Sequence, residues 1–317
     1  MKKEYININE VNKQLKDNNI RVMLNDESAY RGQLFQLVRK VLKQRRKTKI
    51  LLLAGPSCAG KTTTANLIKE ILEHKKKKVI IISMDDFFLN RKDTPLLPNG
   101  MPDFDGLRAL NFEQMHTCFK TLFETGFAKF PRFDFLTGLN MPDQYELTYT
   151  KDTIVIFEGL HVLNPELIKH LGTKDVFKVY ASATQGFEMD DFVKMSARQL
   201  RLIRRMIRDI VRRGHSPAWT MKNWRNVCDA EDTYIEPFKS TADFIINTTH
   251  SYELALYKDE FFKIVINHRE DVKDLNFIPL IEFSESLSSA LLPETSLMWE
   301  FIDKPEKGWV KNKRTLN

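Results

Sequence analysis

KILLLAGPSCAGKTTTANLI, residues 49–68, is the stretch from which the rest of this chain is read. Ile50 to Ala54 make an apolar run suited to a buried strand, a glycine-bounded loop follows, and Leu67, Ile68, Ile71 and Leu72 then recur at helical spacing. Gly55, four intervening residues, Gly60, Lys61 and Thr62 satisfy GxxxxGK followed by Ser or Thr. In such a loop the backbone from Gly55 through Ser57, Cys58, Ala59 and Gly60 to Thr63 wraps phosphates. The lysine reaches β and γ oxygens, and the Thr62 hydroxyl takes Mg²⁺. Strand, loop and helix in this order predict nucleotide binding rather than a chance match.

The chain has 317 residues, of which 42% are hydrophobic and 29% charged, so a sizeable core is expected and wholesale disorder is not. No apolar run reaches the roughly 18 to 20 residues that cross a bilayer. The N-terminus lacks the apolar region of a signal peptide, which predicts a cytoplasmic protein without membrane contact. Cys58, Cys118 and Cys228 are odd in number and far apart, against a disulfide framework or a zinc site. The net charge of +7 would suit a polyanion, but seven arginines fall between Arg198 and Arg213, which favours a site for several phosphates over nucleic acid. The runs Arg45 to Lys47 and Lys75 to Lys78 read as solvated helix ends. A homo-oligomer is left open.

Outward from the loop, residues 1–25 carry little signal, and 27–46 place Leu34, Leu37, Val38, Val41 and Leu42 on one helical face. KVIIIS ending in MDDFF, and TIVIF ending in EGLH, read as buried parallel strands; FKVYAS and ADFIINTT supply two more. A Pro- and Gly-bearing stretch, 89–111, predicts a loop over the site; Phe130 to Thr150 predicts a β-hairpin; 188–213 predicts an arginine-rich helix; and 251–303 is mostly helical by pattern. The fold expected is α/β: a P-loop NTPase with a doubly wound parallel sheet, helices on both faces, a hairpin excursion and a helical lid. Its domains would be an arm at 1–47, a kinase domain at 48–250 and a helical extension at 251–317.

In a doubly wound sheet the ligand lies beyond the carboxyl ends of the strands, so Asp85, Asp86 and Glu158 should converge on the loop. Phosphoryl transfer needs in-line positioning, Mg²⁺, positive charge over the equatorial oxygens and a carboxylate near the acceptor proton. Asp85 is the preferred base or orienter, the alternative being that Asp85 or Asp86 caps a turn. Glu158 after four apolar residues fits a metal or water ligand. Two or three of the seven arginines are expected on the phosphates and the rest on the surface. Phe104, Phe133 and Phe135 could equally stack a base or fill core. His161 and His215 receive no role.

The order GPSCAGKTTTA, SMDDFF, DFDGLRALN, PRFDF, FEGLHVLNP, RLIRRMIRDIVRRG and YIEPFKSTADFII, over about residues 48–250, resembles the uridine kinase and phosphoribulokinase family. SYELALYK and LMWEFI are similar to the tail of a bacterial branch of uridine kinases. Longer members of that branch carry tRNA-synthetase-like modules ahead of the kinase domain, which are expected to be missing here. The resemblance implies that Thr62, Asp85 and Glu158 surround Mg²⁺, with Asp85 as base for a ribose 5′-hydroxyl. It puts Asp105 on the ribose hydroxyls, Lys61, Arg208 and Arg213 on phosphates, and Arg205 facing substrate. Uridine-cytidine kinases carry a tyrosine and a histidine near the base where this chain has Phe133 and Gly138, so the acceptor is left open. The expectation is an ATP-dependent kinase of a nucleoside or another small hydroxyl compound. The alternatives are a sugar phosphate or pantothenate-like acceptor, and a non-catalytic nucleotide-binding regulator. No NKxD sequence supports a GTPase switch.

Overall fold

Every residue of Ile50–Ala54 is buried because this run is the middle strand of a parallel sheet covered on both faces. The computed structural model describes residues 4–44, 48–173, 175–189 and 193–304; the basic run Arg45 to Lys47 and the charged tail from 305 onward lie outside the described residues. In chain order the elements are β1 (Tyr5–Asn7), α1 (Ile8–Lys43), β2 (Ile50–Ala54), α2 (Lys61–His74), β3 (Lys78–Ser83), α3 (Phe112–Thr125), β4 (Phe127–Asp134) and β5 (Leu139–Thr148). There follow β6 (Thr153–Gly159), α4 (Pro165–Ile168), β7 (Val176–Ser182), β8 (Gly186–Met189), β9 (Val193–Met195), α5 (Ala197–Arg213) and α6 (Pro217–Tyr234). The remainder are β10 (Phe244–Asn247), α7 (Glu253–Asn267), α8 (Arg269–Val272) and α9 (Ile278–Phe283).

The main sheet runs β10-β7-β2-β6-β3, all parallel. Alternation along each strand divides the core in two. Leu51, Leu53, Ile154, Ile156 and Val179 face α1, α2 and α7, whereas Ile50, Leu52, Val155 and Phe157 face Met115, Phe119 and Leu122 of α3 and Phe130 of β4. Truncating one fully buried leucine here, such as Leu52→Ala, would cost about 2–5 kcal/mol. The strands, the β4–β5 hairpin and helices on both faces match the sequence expectation. No helix among the described residues is long and apolar enough to cross a membrane.

Two segments differ from that expectation. Helix α1 starts at Ile8, far ahead of the predicted 27, capped by the Asn7 side chain, which accepts from the N–H groups of Asn9 and Glu10. Asn18 has non-helical angles (φ −164°, ψ 92°), so the apolar period of Ile8, Val11 and Leu15 is broken before it resumes at Val22. A single 3.6-residue repeat therefore cannot be followed through it. The predicted helix from 188 begins only at Ala197, where Ser196 and Gln199 form a reciprocal capping box. Residues just before it form β8 and β9, and β8 pairs in parallel with β1, joining the N-terminus to the body; 190–192 lie outside the described residues.

Candidate active site

Strand β2 delivers the chain into a loop that tolerates almost no side chain at its glycines. A Cβ at Gly55 would fall 2.0 Å from the Ala181 carbonyl oxygen, and Gly60 sits at φ +85°, a left-handed conformation that opens α2. Cys58 also adopts positive φ (58°), and Cys58 and Ala59 are buried within the loop. Lys61 Nζ donates to the Pro56 carbonyl at 3.1 Å, folded back across the loop. At the far end of α2's first turn, the Thr63 N–H donates to Glu300 Oε2 at 2.9 Å.

Helix α5 holds the loop from above. Arg201 Nη1 donates to Ser57 O at 3.0 Å, Arg204 Nη1 to Cys58 O at 3.2 Å, and Arg205 Nη1 to Ser57 Oγ at 2.8 Å. Arg201 and Arg204 are not surface residues, as the sequence had suggested for most of the cluster. They are 2% and 0% exposed and pair with Glu231 (2.6 Å) and Glu253 (2.6 Å). Those partners lie in α6 and α7, too distant in sequence for arginine spacing to reveal. Farther along α5, Asp209 is buried among Arg205 (3.4 Å), Arg208 (2.7 Å) and Arg213 (3.7 Å). Burial alone would raise its carboxyl; the guanidinium groups of Arg208, Arg205 and Arg213 outweigh that and hold it below its ordinary value.

Strand ends supply the acids. Asp85 lies in a 3-10 turn after β3 that is capped by Ser83, whose Oγ accepts from the Asp85 N–H at 3.3 Å. The capping role therefore belongs to Ser83. Asp86 turns away and accepts from the Tyr145 hydroxyl at 2.8 Å, a structural contact with the hairpin. Glu158, next to last in β6, accepts at Oε1 from Ser83 Oγ (2.9 Å) and from Thr62 Oγ1 (3.4 Å). Burial raises the carboxyls of both Asp85 and Glu158; Lys61 pulls each back, and Asp85 adds to the rise at Glu158.

Lys61, Thr62, Asp85, Glu158, Arg205, Arg208 and Arg213 line one cleft of about 380 Å³ together with Phe104, Asp105, Phe133 and Phe135. Phe133 is wedged between Phe88 (5.6 Å) and Phe135 (5.1 Å), while the Arg213 guanidinium lies 5.1 Å over the Phe135 ring. Phe104 and Phe135 keep exposed faces. His161, behind Asp105, is buried and pushed down to about 4 by that burial.

Sequence reasoning missed several residues of this cleft: Arg91, His215, Trp219, Asn223, Asn226 and Glu300. His215 stacks on Trp219 with ring centroids 3.8 Å apart. Arg91 reaches the cleft across Gly138, whose φ of +73° and missing side chain let the arginine approach; a Cβ there would lie 2.8 Å from Arg91 Cβ. Only Trp219 and His215, trailing an arginine helix, carried a signal that could have been followed.

Thr62, Asp85 and Glu158 offer a hydroxyl and two carboxylates, hard oxygen donors of the kind Mg²⁺ takes. Among the described residues no group of three or more His, Cys, Asp or Glu could hold a metal by itself. That is compatible with Mg²⁺, which is commonly bound by one or two carboxylates together with substrate phosphates.

The family model for the phosphoribulokinase/uridine kinase family matches residues 50–255. A uridine kinase of Mycoplasma genitalium is 28% identical over 207 residues, covering 65% of this chain and 88% of the relative. A uridine kinase of Halobacterium salinarum is 25% identical over 195 residues, covering 61% of this chain and 77% of the relative. The solved structure of a possible uridine kinase from Bacillus stearothermophilus aligns at 18% identity and TM-score 0.48, over 68% of this chain and 98% of that one.

Proposed function

The chain belongs to the phosphoribulokinase/uridine kinase family, and we propose that it transfers the γ-phosphate of ATP to a hydroxyl of a small acceptor, the 5′-hydroxyl of a nucleoside being the best fit. The observation that carries this reading is the shared cleft, which brings the loop's Lys61 and Thr62, the carboxylates of Asp85 and Glu158, three arginines of α5 and the rings of Phe104, Phe133 and Phe135 onto one lining.

Lys61 and the N–H groups opening α2 bind the phosphates of the donor. Mg²⁺, held by Thr62 and Glu158 with Asp85, would neutralise charge on those phosphates when bound. Asp85 orients the acceptor hydroxyl and takes its proton as the oxygen attacks the γ-phosphorus. The bond to the β–γ bridging oxygen breaks, and ADP departs. Arg205, Arg208 and Arg213, fixed by Asp209, supply positive charge over the transferring group. Asp105 holds hydroxyls of the acceptor, and Phe104, Phe133, Phe135 and Trp219 give a planar base apolar surface to lie on.

A second reading, a phosphorylated sugar as acceptor, is favoured by Arg91 and His215, cationic or proton-donating groups in the same cleft. ADP release measured against a panel of nucleosides, sugars and sugar phosphates separates the two. Release with pyrimidine or purine nucleosides supports the first reading, release only with sugar phosphates the second, and none with any acceptor removes both.

A further inference from the structure

The segment that ends the described chain lies on the phosphate cradle itself. Leu297–Glu300 forms a 3-10 turn, capped by Ser296, whose Glu300 carboxylate accepts from the Thr63 N–H at 2.9 Å and lines the cleft beside Lys61 and Thr62. Leu297 fills the space above Gly60: a Cβ on that glycine would lie 2.5 Å from Leu297 Cδ1. The N–H groups of this first turn are the donors that a phosphate would use. We propose that residues 296–302 are an autoinhibitory strap, with Glu300 standing in for a nucleotide phosphate, so that the donor binds only when the strap lifts.

This inference rests on reading the loop as the site for the donor's phosphates. Three further observations support it. The cleft, at about 380 Å³, is near the small end of the ~300–1,000 Å³ typical of sites for one small ligand, and Glu300 is part of its lining. Glu300 adds its carboxylate to a cleft already lined by Asp85, Asp103, Asp105 and Glu158, and a polyphosphate brought onto the Thr63 N–H would meet it as a like charge. The strap is also built to stay: Arg212 Nη2 donates to the Trp299 and Ile302 carbonyls (2.5 and 3.2 Å), the Arg204 guanidinium lies 4.7 Å over Phe301, and the Tyr257 hydroxyl meets Met298 Sδ at 3.1 Å. Two of those anchors, Arg204 and Arg212, are on α5. The helix that carries the phosphate-facing arginines thus also holds the strap, which couples lid position to strap release. The strap lies beyond residue 255, where the family match ends.

The test is made on the full chain, with binding and turnover read separately. Titration calorimetry with Mg·ATP and with a non-hydrolysable analogue should give a Kd at least about 10-fold tighter for Glu300→Gln, and for Leu297→Ala, than for wild type. Hydrogen exchange at the amides of 297–302 should accelerate when wild-type protein is saturated with the analogue. A Kd that is unchanged or weaker in both variants, or strap amides equally or better protected with nucleotide bound, would overturn the strap. Tighter binding with no ADP from any acceptor would uphold it and remove the kinase reading instead.

Discussion

Thr62 and Glu158 stand 96 residues apart in sequence, yet the hydroxyl of one lies 3.4 Å from the carboxylate of the other, across the ends of the adjacent strands β2 and β6. This contact joins the phosphate loop to the second acidic strand end. Glu158→Gln keeps the hydrogen-bond shape and removes the charge that would hold Mg²⁺. Turnover should fall by about 10²–10³-fold, with circular dichroism unchanged. Initial rates measured across a Mg²⁺ titration check it; an unaltered Mg²⁺ dependence would take Glu158 out of the metal site.

Asp209 is buried beneath three guanidinium groups that reach the cleft. Asp209→Asn leaves those cations close together without their counter-charge, so unfolding free energy should drop by about 3 kcal/mol. Because the arginines also lose their common anchor, kcat should fall further than the fraction unfolded explains. Urea unfolding and rates at saturating substrate, taken on the same preparation, measure both. An unchanged urea midpoint would mean that the arginines organise themselves.

His161 is held neutral by burial, at about 4 instead of its ordinary 6.5. The folded chain therefore binds this proton less readily than the unfolded chain, and stability falls as pH drops from 6.5 to 4 and is level above 6.5. The loss from this residue should approach about 3 kcal/mol at the acid end of that window. His161→Gln should flatten that part of a stability–pH curve; an acid limb of the same slope in the variant would assign it to other groups.

Much of this architecture was legible in the sequence because its signals are local. A parallel strand buried on both faces is a run of apolar residues, and the strand ends carry their acids immediately after, as in KVIIIS before Asp85 and TIVIF before Glu158. Pairings between distant residues were not legible. Arg201 and Arg204 read as surface cations because Glu231 and Glu253 reach them only in the folded chain. The apolar period of helix α1 cannot be followed back through Asn18, whose non-helical angles interrupt it. Glu300 left no trace at all, since nothing in LMWEFI indicates that its carboxylate reaches the N–H of Thr63.

The stacked pair His215 and Trp219 lines the cleft that also holds Phe104, Phe133 and Phe135, the rings on which the proposed acceptor would lie. Trp219→Ala should raise KM for the acceptor about 10-fold, in line with the ~1–3 kcal/mol that stacking on a base contributes elsewhere, and leave KM for ATP within about 2-fold. Steady-state kinetics with each substrate varied in turn make the comparison. Equal rises in both KM values would point to general damage.

The most direct test of the account follows the phosphorus atom. Wild-type protein and Asp85→Asn are each incubated with γ-labelled ATP, Mg²⁺ and uridine, and the label is located by ³¹P NMR and mass spectrometry. The account predicts label on the 5′-oxygen of the nucleoside with wild type, and a loss of at least about 10²-fold in rate with Asp85→Asn while ATP binding is retained. Near-normal transfer by Asp85→Asn would contradict its role as base. Absence of labelled product from wild type, with uridine and with every other hydroxyl acceptor supplied, would contradict phosphoryl transfer itself.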